Sequence, residues 1–293
     1  MSAALPREPG VTQAIPPVSL QEFIMAQQLF NHFAFAASMS LERLAERVPA
    51  AFAEHAAEST GPRYVFISAR EIVSALMDAG FAPTHATQTA ARAGNAAYAR
   101  HLLRFQPTVE KVSLRDALPQ IVLINSHDGR SAYQLRAGLF RPVCTNGLMT
   151  PIGDFGLVHV SHRGNVVRNV VEAAPQITGE FSRVGDAIEC MSETTLSQRE
   201  RLAFAEAALA LRYAGRDDKP LQPAQLLETR RMADVGDDVW RTFNAVQENV
   251  MRGGLCGRSA HGRAVRARGI RAIREDVRIN TGLWKLALQR IGR

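Results

Sequence analysis

The amino-acid sequence predicts an α+β fold, with a central antiparallel β-sheet flanked by helices and a mainly helical C-terminal half. Three observations predict this class. The middle third contains short β-prone runs bounded by Gly, Pro or Asn. Two dipeptides favoured in tight hairpins, Asp128-Gly129 and Asn146-Gly147, lie among those runs. After about residue 163, apolar residues recur at spacings of three and four, the period of a helix with one buried face.

The composition divides the chain into three segments. The first contains four prolines and little periodic apolar content, which is typical of a mobile arm. The second is alanine-rich and suits helix, broken at Pro49. We therefore expect a disordered N-terminal arm over 1–20, a helical segment over 21–60, and a main domain over 61–293 that is β-rich over 61–162 and helical over 163–293.

The main domain is expected to begin with a strand followed by a helix. Tyr64–Ile67 is a short β-prone run. Ser68 and Glu71 have the spacing of a capping box, in which each side chain bonds the backbone N–H of the other residue. The helix should continue through Asp78 and end at Gly80.

Six runs predict the strands of the sheet. Turn-forming residues separate them, and the two hairpin dipeptides make neighbouring strands antiparallel. A single antiparallel sheet accommodates them all. The predicted strands are Phe81–Thr89, Arg100–Phe105, Gln120–Asn125, Ala132–Arg136, Leu139–Cys144 and Leu157–Ser161.

Amphipathic helices are expected after the sheet. An apolar stripe from Val167 to Ile188 predicts a long helix, which Pro175 should kink or divide because an interior proline costs about 3 kcal/mol. Ser197 and Glu200 form a second capping box before an alanine-rich helix. The remaining helices are Val239–Met251, ended by Gly253-Gly254, and a final helix that Asn280 caps and that carries Leu283, Trp284, Leu288 and Ile291.

The chain is basic, and its positive charge is almost all arginine. The formal net charge is +7, and lysine occurs only at Lys111, Lys219 and Lys285 among 35 basic residues. Guanidinium groups pair bidentately with phosphate, so this composition indicates an acidic partner such as nucleic acid. A GC-rich genome would give the same arginine excess without any such partner, so the ratio of arginine to lysine alone does not show whether the protein binds nucleic acid.

The sequence indicates a cytoplasmic protein without a membrane partner. It lacks the pattern of a secretory signal, and no window approaches the roughly 18–20 apolar residues that span a bilayer. The three cysteines, Cys144, Cys190 and Cys256, are odd in number and widely spaced, which suits a reducing compartment.

Four stretches of the sequence resemble a known family. They are NSHDGRSAYQLRAGLFRPVCTNGL (125–148), HRGNVV (162–167), VQENVMRGGLCGRSAHGRAVRARGI (246–270) and DVRINTGLW (276–284). They are similar to the YafZ/YfjQ/YubP family, within domain of unknown function 932, found on prophages and conjugative plasmids. The resemblance runs from about Gly61 to the last helix. It implies no activity, cofactor or catalytic residue, and its mobile-element setting implies DNA maintenance, recombination or interference with host defence.

One group of residues contains the side chains that a cysteine hydrolase or a metal site would need: His127, Asp128, Cys144, Asn146, His159 and His162. Asp-Gly and Asn-Gly pairs already have structural roles in turns, and a cysteine that ends an apolar strand is commonly buried. His159 and His162 would face opposite sides of a strand unless a turn begins at Ser161. We therefore predict no catalytic residue, no metal site and no cofactor.

The segment 252–278 concentrates positive charge, with eight arginines against Glu275 and Asp276. Its glycines, at 253, 254, 257, 262 and 269, are expected to let backbone N–H groups approach an anion, and Ser259 adds a hydroxyl donor. If 263–274 is helical, its arginines form a stripe able to follow a nucleic-acid backbone. The predicted nucleic-acid-binding residues are Arg252, Arg258, Ser259, Arg263, Arg266, Arg268 and Arg271.

Two classes of function follow. The favoured one is a non-enzymatic protein of a mobile element that binds nucleic acid, DNA rather than RNA, largely without sequence specificity. The other is a protein-interaction module that modulates a host factor, in which case the arginines would be a solvated surface or pair with acids elsewhere in the fold. A cysteine- or metal-dependent enzyme is a weaker alternative. The segment lacks the GK[ST] ending of a Walker loop, so nucleotide hydrolysis is not expected.

Overall fold

The computed structural model of the protein describes most of the chain from Ser38 onward. The described residues are 38–62, 64, 66–90, 96–108, 114–129, 131, 133–141, 147–149, 157–160, 166–216 and 218–293. For 147–149, 157–160, 166, 176 and 177 the backbone alone is described. The predicted arm over 1–20 and the first part of the predicted helical segment, 21–37, lie outside the described residues.

An antiparallel sheet occupies the first half of the described chain, which confirms the predicted fold class. Strands β1 to β4 pair in chain order, and β5 and β6 both pair with β4. The strands are β1 (Phe81–Gln88), β2 (His101–Pro107), β3 (Leu118–Asn125), β4 (Tyr133–Phe140), β5 (Gly147–Met149) and β6 (Leu157–Val160).

The region after β3 differs from the prediction in one respect. The described residues of the predicted strand Ala132–Arg136 and the first two residues of the predicted strand Leu139–Cys144 lie in the single strand β4, because Gly138 stays in the ladder opposite Gln120 of β3. Residues 142–144 lie outside the described residues. The predicted Asp128-Gly129 turn does lie between β3 and β4, and Gly129 has a φ of 75°. Asn146, of the second predicted turn, lies outside the described residues.

Two short helices precede the sheet. Helix α1 (Leu41–Arg47) is capped by the Ser40 hydroxyl and ends before Pro49, where a 3-10 turn begins. Helix α2 (Ala69–Asp78) has the predicted bounds, but the Ser68 side chain makes no capping hydrogen bond, so the predicted capping box is wrong.

The strand predicted at Tyr64–Ile67 is also wrong, since its described residues lie in no strand. Side-chain bonds hold this segment instead of a ladder. The Tyr64 hydroxyl donates to the carbonyl oxygen of Ser126 at 3.4 Å, and the Ile67 carbonyl accepts from the Tyr133 hydroxyl at 2.7 Å. These bonds attach the segment to the end of β3 and the start of β4.

The second half is mainly helical, as predicted. The apolar stripe divides into two helices, but the break is at Glu180 and not at Pro175, which lies exposed inside the first helix. The capping box of Ser197 and Glu200 is present. The helices are α3 (Val166–Gly179), α4 (Phe181–Glu193), α5 (Gln198–Arg212), α6 (Pro223–Leu226), α7 (Val239–Arg252) and α8 (Ile273–Arg290).

Helix α8 begins earlier than predicted, and the assignment of Asn280 as its cap is wrong. Asn280 lies buried in the middle of α8, where it accepts a hydrogen bond from Gln247 at 3.1 Å and donates to Asp276 at 2.5 Å. A buried amide needs hydrogen-bond partners, and Asn280 finds one on α7 and another within α8 itself.

Two large hydrophobic cores hold the described part of the fold together. One face of the sheet, with Phe105, Leu123 and Leu135, packs against α2 and α3. The other core lies among α4, α5, α7 and α8 and includes Phe243 and Trp284, whose rings meet edge to face at 5.8 Å. In the described part of the chain, no helix combines the length and the apolar character needed to cross a membrane.

Candidate nucleic-acid interface

A short β-hairpin follows α7 and was not predicted from the sequence. Its strands are β7 (Cys256–Arg258) and β8 (Ala264–Arg266), paired antiparallel. Because side chains alternate along a strand, Arg258 and Arg266 lie on the same face, and both are exposed. The hairpin therefore presents two guanidinium groups to solvent.

The outer edge of β7 is anchored to the loop before α6 and to α6 itself. The Arg258 N–H donates to the carbonyl oxygen of Pro220 at 3.0 Å, and Gln225 donates from Nε2 to the carbonyl oxygen of Cys256 at 2.7 Å. A Cβ atom at Gly257 would overlap the carbonyl oxygen of Pro220. Glycine is thus required at this position for the close approach of the two backbones.

The turn of the hairpin is closed by its own hydrogen bonds. The N–H of Ser259 donates to the carbonyl oxygen of Arg263 at 2.9 Å, and the Ser259 hydroxyl oxygen accepts from the Arg263 N–H at 3.3 Å. The Ala260 N–H donates to Asp218 at 3.1 Å. The Ser259 hydroxyl therefore orders the turn, and its proposed contact with an anion stays a prediction.

Most arginines of the segment 252–278 are exposed and have no acidic partner. In the part of the chain that the structure describes, no carboxylate forms an ion pair with any of six of them. These six, which we name the exposed arginines, are Arg258, Arg263, Arg266, Arg268, Arg271 and Arg274. Among the described residues, Arg258 and Arg266 donate to backbone carbonyl oxygens, which do not neutralise their charge.

The other two arginines of the segment are paired. Arg252 forms an ion pair with Glu248 at 3.2 Å, and Arg278 with Glu275 at 2.8 Å. Glu248 also accepts two hydrogen bonds from Arg231, each at 2.9 Å. Burial alone would raise the pKa of Glu248, but Arg231 and Arg252 lower it overall. Arg252 therefore contributes less free charge than the sequence suggests.

The conditional prediction of a helix over 263–274 is wrong. These residues form β8, an extended connection and only the start of α8. The connection is held by backbone bonds, from the Ala267 N–H to the Leu255 carbonyl oxygen and from the Ile270 N–H to the Met251 carbonyl oxygen, each at 2.8 Å. Since these N–H groups bond to a neighbouring segment, they are not available for a helix. The arginines are therefore spread along a ribbon and a loop.

The glycines of the segment serve internal packing, which corrects the expectation that they bring N–H groups to an anion. A Cβ atom at Gly253 would lie 2.6 Å from the Arg268 carbonyl carbon, and one at Gly269 would lie 2.9 Å from the Arg252 carbonyl oxygen. The Gly254 N–H already donates to Ala267 at 2.8 Å, and the Gly262 N–H to Ser259 at 2.9 Å.

Two arginines beneath the hairpin were missed by the sequence analysis. Arg230 donates from Nη2 to the Gly253 carbonyl oxygen at 2.7 Å, and Arg212 donates to the carbonyl oxygens of Val250 and Arg268. The bonds to Val250 and Gly253 satisfy carbonyl groups at the end of α7 that no helical N–H reaches. They also add positive charge below the exposed arginines. Arg212 and Arg230 lie outside the segment 252–278 in the sequence, so no sequence pattern indicated that they contact it.

The group of residues considered for a hydrolase or a metal site is only partly described. His127 is buried, with its ring centroid 4.9 Å from that of Phe66 and 5.3 Å from that of His101. Asp128 accepts from the Ser126 hydroxyl at 2.6 Å. Cys144, Asn146 and His162 lie outside the described residues, and only the backbone of His159, in β6, is described. Among the residues that are described, no three His, Cys, Asp or Glu side chains converge in a way that could hold a metal ion.

Comparisons with known proteins give a family and no activity. A family model described as "Domain of unknown function (DUF932)" matches residues 56–284. The chain is 38% identical over 250 residues to the UPF0380 protein YafZ of Escherichia coli (strain K12), which covers 85% of this chain and 90% of the relative. It is similar to the same extent to the UPF0380 protein YfjQ of the same strain. No solved structure matches the chain.

Proposed function

We propose a nucleic-acid-binding function for this chain, which belongs to the domain of unknown function 932 (DUF932) family. The protein contacts the phosphate backbone through its exposed arginines and catalyses no reaction on it. A single observation carries the proposal: six arginines are exposed on an anchored hairpin, the loop after it and the first turn of α8, without a carboxylate partner among the described residues. Guanidinium groups in this state favour phosphate oxygens, which accept two of their N–H donors at once.

The shape of this surface favours backbone contact over the reading of bases. Each strand of the hairpin has three residues, and its exposed face offers Arg258 and Arg266 beside the small side chains of Cys256 and Ala264. Arginine contacts to phosphate hold a protein on the strand but carry no sequence information. The proposed binding is therefore largely independent of sequence, and DNA is the proposed ligand because the family resemblance implies a mobile-element setting.

The proposal is tested by the salt dependence of binding. Fluorescence anisotropy with labelled single- and double-stranded DNA should give a logarithmic affinity that falls steeply with the logarithm of salt concentration. The triple variant R258A/R263A/R266A should make the slope for duplex DNA shallower by about 2.7, since each lost phosphate contact removes about 0.9. The matched control is R43A/R199A/R293A, which removes the same charge from exposed positions on α1, on α5 and at the C-terminus.

Two outcomes would overturn the proposal. If both triple variants flatten the slope equally, binding reflects net charge and not the hairpin. If the wild-type protein binds no DNA at low salt, while a complex recovered from cell extract survives nuclease treatment, the chain is a protein-interaction module.

A further inference from the structure

The second face of the sheet carries polar side chains around the first turn of α8. Cross-strand pairing places Leu102, Arg104, Val122, Ile124, Gln134 and Arg136 on this face. Ile273 of α8 packs on the apolar members of the group. The helix therefore covers the middle of the face and leaves a groove on either side of it.

The groove on the β4 side, which we name the Arg136 groove, has the composition of an anion site. Its volume is about 330 Å³, within the usual range for small-molecule pockets. Its charged and polar lining comes from Arg100, Gln134, Arg136 and Arg274, and Val277 contributes to its apolar part. No acidic residue lines it in the part of the chain that the structure describes.

Arg136 is the central group, because it is partly buried and has no counter-ion among the described residues. Its hydrogen-bond acceptor is the neutral Oε1 atom of Gln134, at 3.3 Å from Nε and 3.0 Å from Nη2. Burial lowers the pKa of Arg136, the direction expected for a desolvated cation. A buried charge of this kind is costly unless an anion compensates it.

Arg141 is a buried arginine with a structural role, and it serves as a comparison for Arg136. Its guanidinium lies between the carboxylates of Asp116 and Asp234. Arg136 lies within β4, and Arg141, five residues later, lies just after the strand. The fold compensates Arg141 internally, whereas no carboxylate of a described residue pairs with Arg136, which leaves its guanidinium able to bind an external anion.

We propose that the Arg136 groove binds the phosphate group of a phosphomonoester. Arg136 and Arg274 contact the phosphate oxygens, Arg100 adds positive charge, and the Gln134 amide supplies a further N–H donor. The apolar side chains of Ile124 and Val277 contact the organic part of the ligand. This site shares Arg274 with the exposed arginines but includes no residue of the hairpin, and it goes beyond binding of a polynucleotide backbone.

The groove on the other side of α8 serves as a comparison within the molecule. It has a similar volume, about 370 Å³, and is also lined by arginines, Arg104 and Arg271. It contains the carboxyl group of Asp276, which disfavours an anion when it is ionised. The Arg136 groove is therefore the better phosphate site of the two.

Isothermal titration calorimetry in a phosphate-free buffer tests the proposal with three probes: inorganic phosphate, adenosine monophosphate and adenosine. The first two should bind and adenosine should not. R274Q, at an exposed position, should weaken adenosine monophosphate binding at least about tenfold, the effect of one lost charge-assisted hydrogen bond. R136Q should weaken it further, and the hairpin variant R266Q should leave it unchanged.

A fourth probe distinguishes the two sources of a phosphomonoester. If a 5′-phosphorylated oligonucleotide binds more tightly than its 5′-hydroxyl form, and R274Q removes the difference, the groove accepts the end of a strand as well as a free nucleotide. The proposal is overturned if neither inorganic phosphate nor adenosine monophosphate binds, or if R274Q and R136Q leave the affinity unchanged. Such a failure would not affect the salt dependence that tests the hairpin.

Discussion

Arg141 Nη1 lies 2.8 Å from Asp234 Oδ1, although the two residues are 93 positions apart in the sequence. Arg141 follows β4, and Asp234 ends the 3-10 turn before α7, so the ion pair joins the sheet to the helical half. The side chains are 5% and 2% exposed. Asp116, before β3, also accepts from Arg141 and from the Trp240 indole N–H, the latter at 3.1 Å.

Replacement of Arg141 by Gln should destabilise the protein by about 3–5 kcal/mol, because it leaves the buried carboxylate of Asp234 without its cation. Urea unfolding followed by circular dichroism measures the difference. R168Q is the control, since Arg168 and Glu172 form an exposed pair on α3, where such pairs contribute about 0–1 kcal/mol. Equal losses in R141Q and R168Q would show that the buried pair adds nothing special to stability.

The stability of the protein should depend on pH through Asp276. Burial raises the pKa of Asp276 to about 6, although attraction to Arg104 and the hydrogen bond from Asn280 oppose the shift. An unfolded aspartate titrates near about 3.9, so the folded state binds more protons between these values. The free energy of unfolding should therefore fall as pH rises from about 4 to about 6 and stay lower above that range.

D276N removes the ionisation and should be more stable than the wild type at pH 7.5 by about 1–3 kcal/mol, with little difference at pH 4. Urea titrations at several pH values measure this, and E46Q, at an exposed carboxylate of α1, is the control. If the D276N and wild-type profiles run parallel across this range, the Asp276 carboxyl is not the group responsible.

The sequence predicted the elements whose signals are local. β1, β2 and β3 are continuous β-prone runs, and the capping box of Ser197 and Glu200 begins α5 where expected. Ser68 and Glu71 show the same spacing, yet no capping bond forms, so the pattern alone does not guarantee the contact. The family was also recognised from sequence, whereas its activity was not, because no motif assigned one.

The elements that sequence missed depend on contacts far along the chain. The hairpin of β7 and β8 has strands of only three residues, too short for an alternation pattern, and it is held by Pro220 and Gln225. The Arg136 groove likewise joins Arg100, just before β2, to residues of β3, β4 and α8. Since neither arrangement has a local signal, the predicted site contained the hairpin arginines but not the groove.

Replacement of Gly257 by Ala should displace the hairpin from its base, because the new Cβ atom would overlap the backbone of Pro220. We expect a loss of about 1–3 kcal/mol, faster proteolysis within 254–268, and weaker DNA binding. G61A is the control, since a Cβ atom there has no neighbour within 4 Å. If G257A shows the same rate of proteolysis and the same DNA affinity as the wild type, the contact with Pro220 does not hold the hairpin in place.

Arg252 and Arg263 should differ in their effect on DNA binding, although both were predicted to bind. Arg263 is exposed without a carboxylate partner among the described residues, whereas Arg252 forms an ion pair with Glu248. R263A should therefore make the salt dependence for duplex DNA shallower by about 0.9. R252A should change it less, because its charge is already partly compensated within the protein.

The variant E248Q extends the comparison of Arg252 with Arg263. It removes the carboxylate that compensates Arg231 and Arg252 and should steepen the salt dependence, provided that circular dichroism shows an unchanged fold. Anisotropy titrations of R252A, R263A and E248Q over the same salt range measure all three effects. Equal slopes for R252A and R263A would contradict the argument, because internal pairing would then make no difference to which arginines contact phosphate.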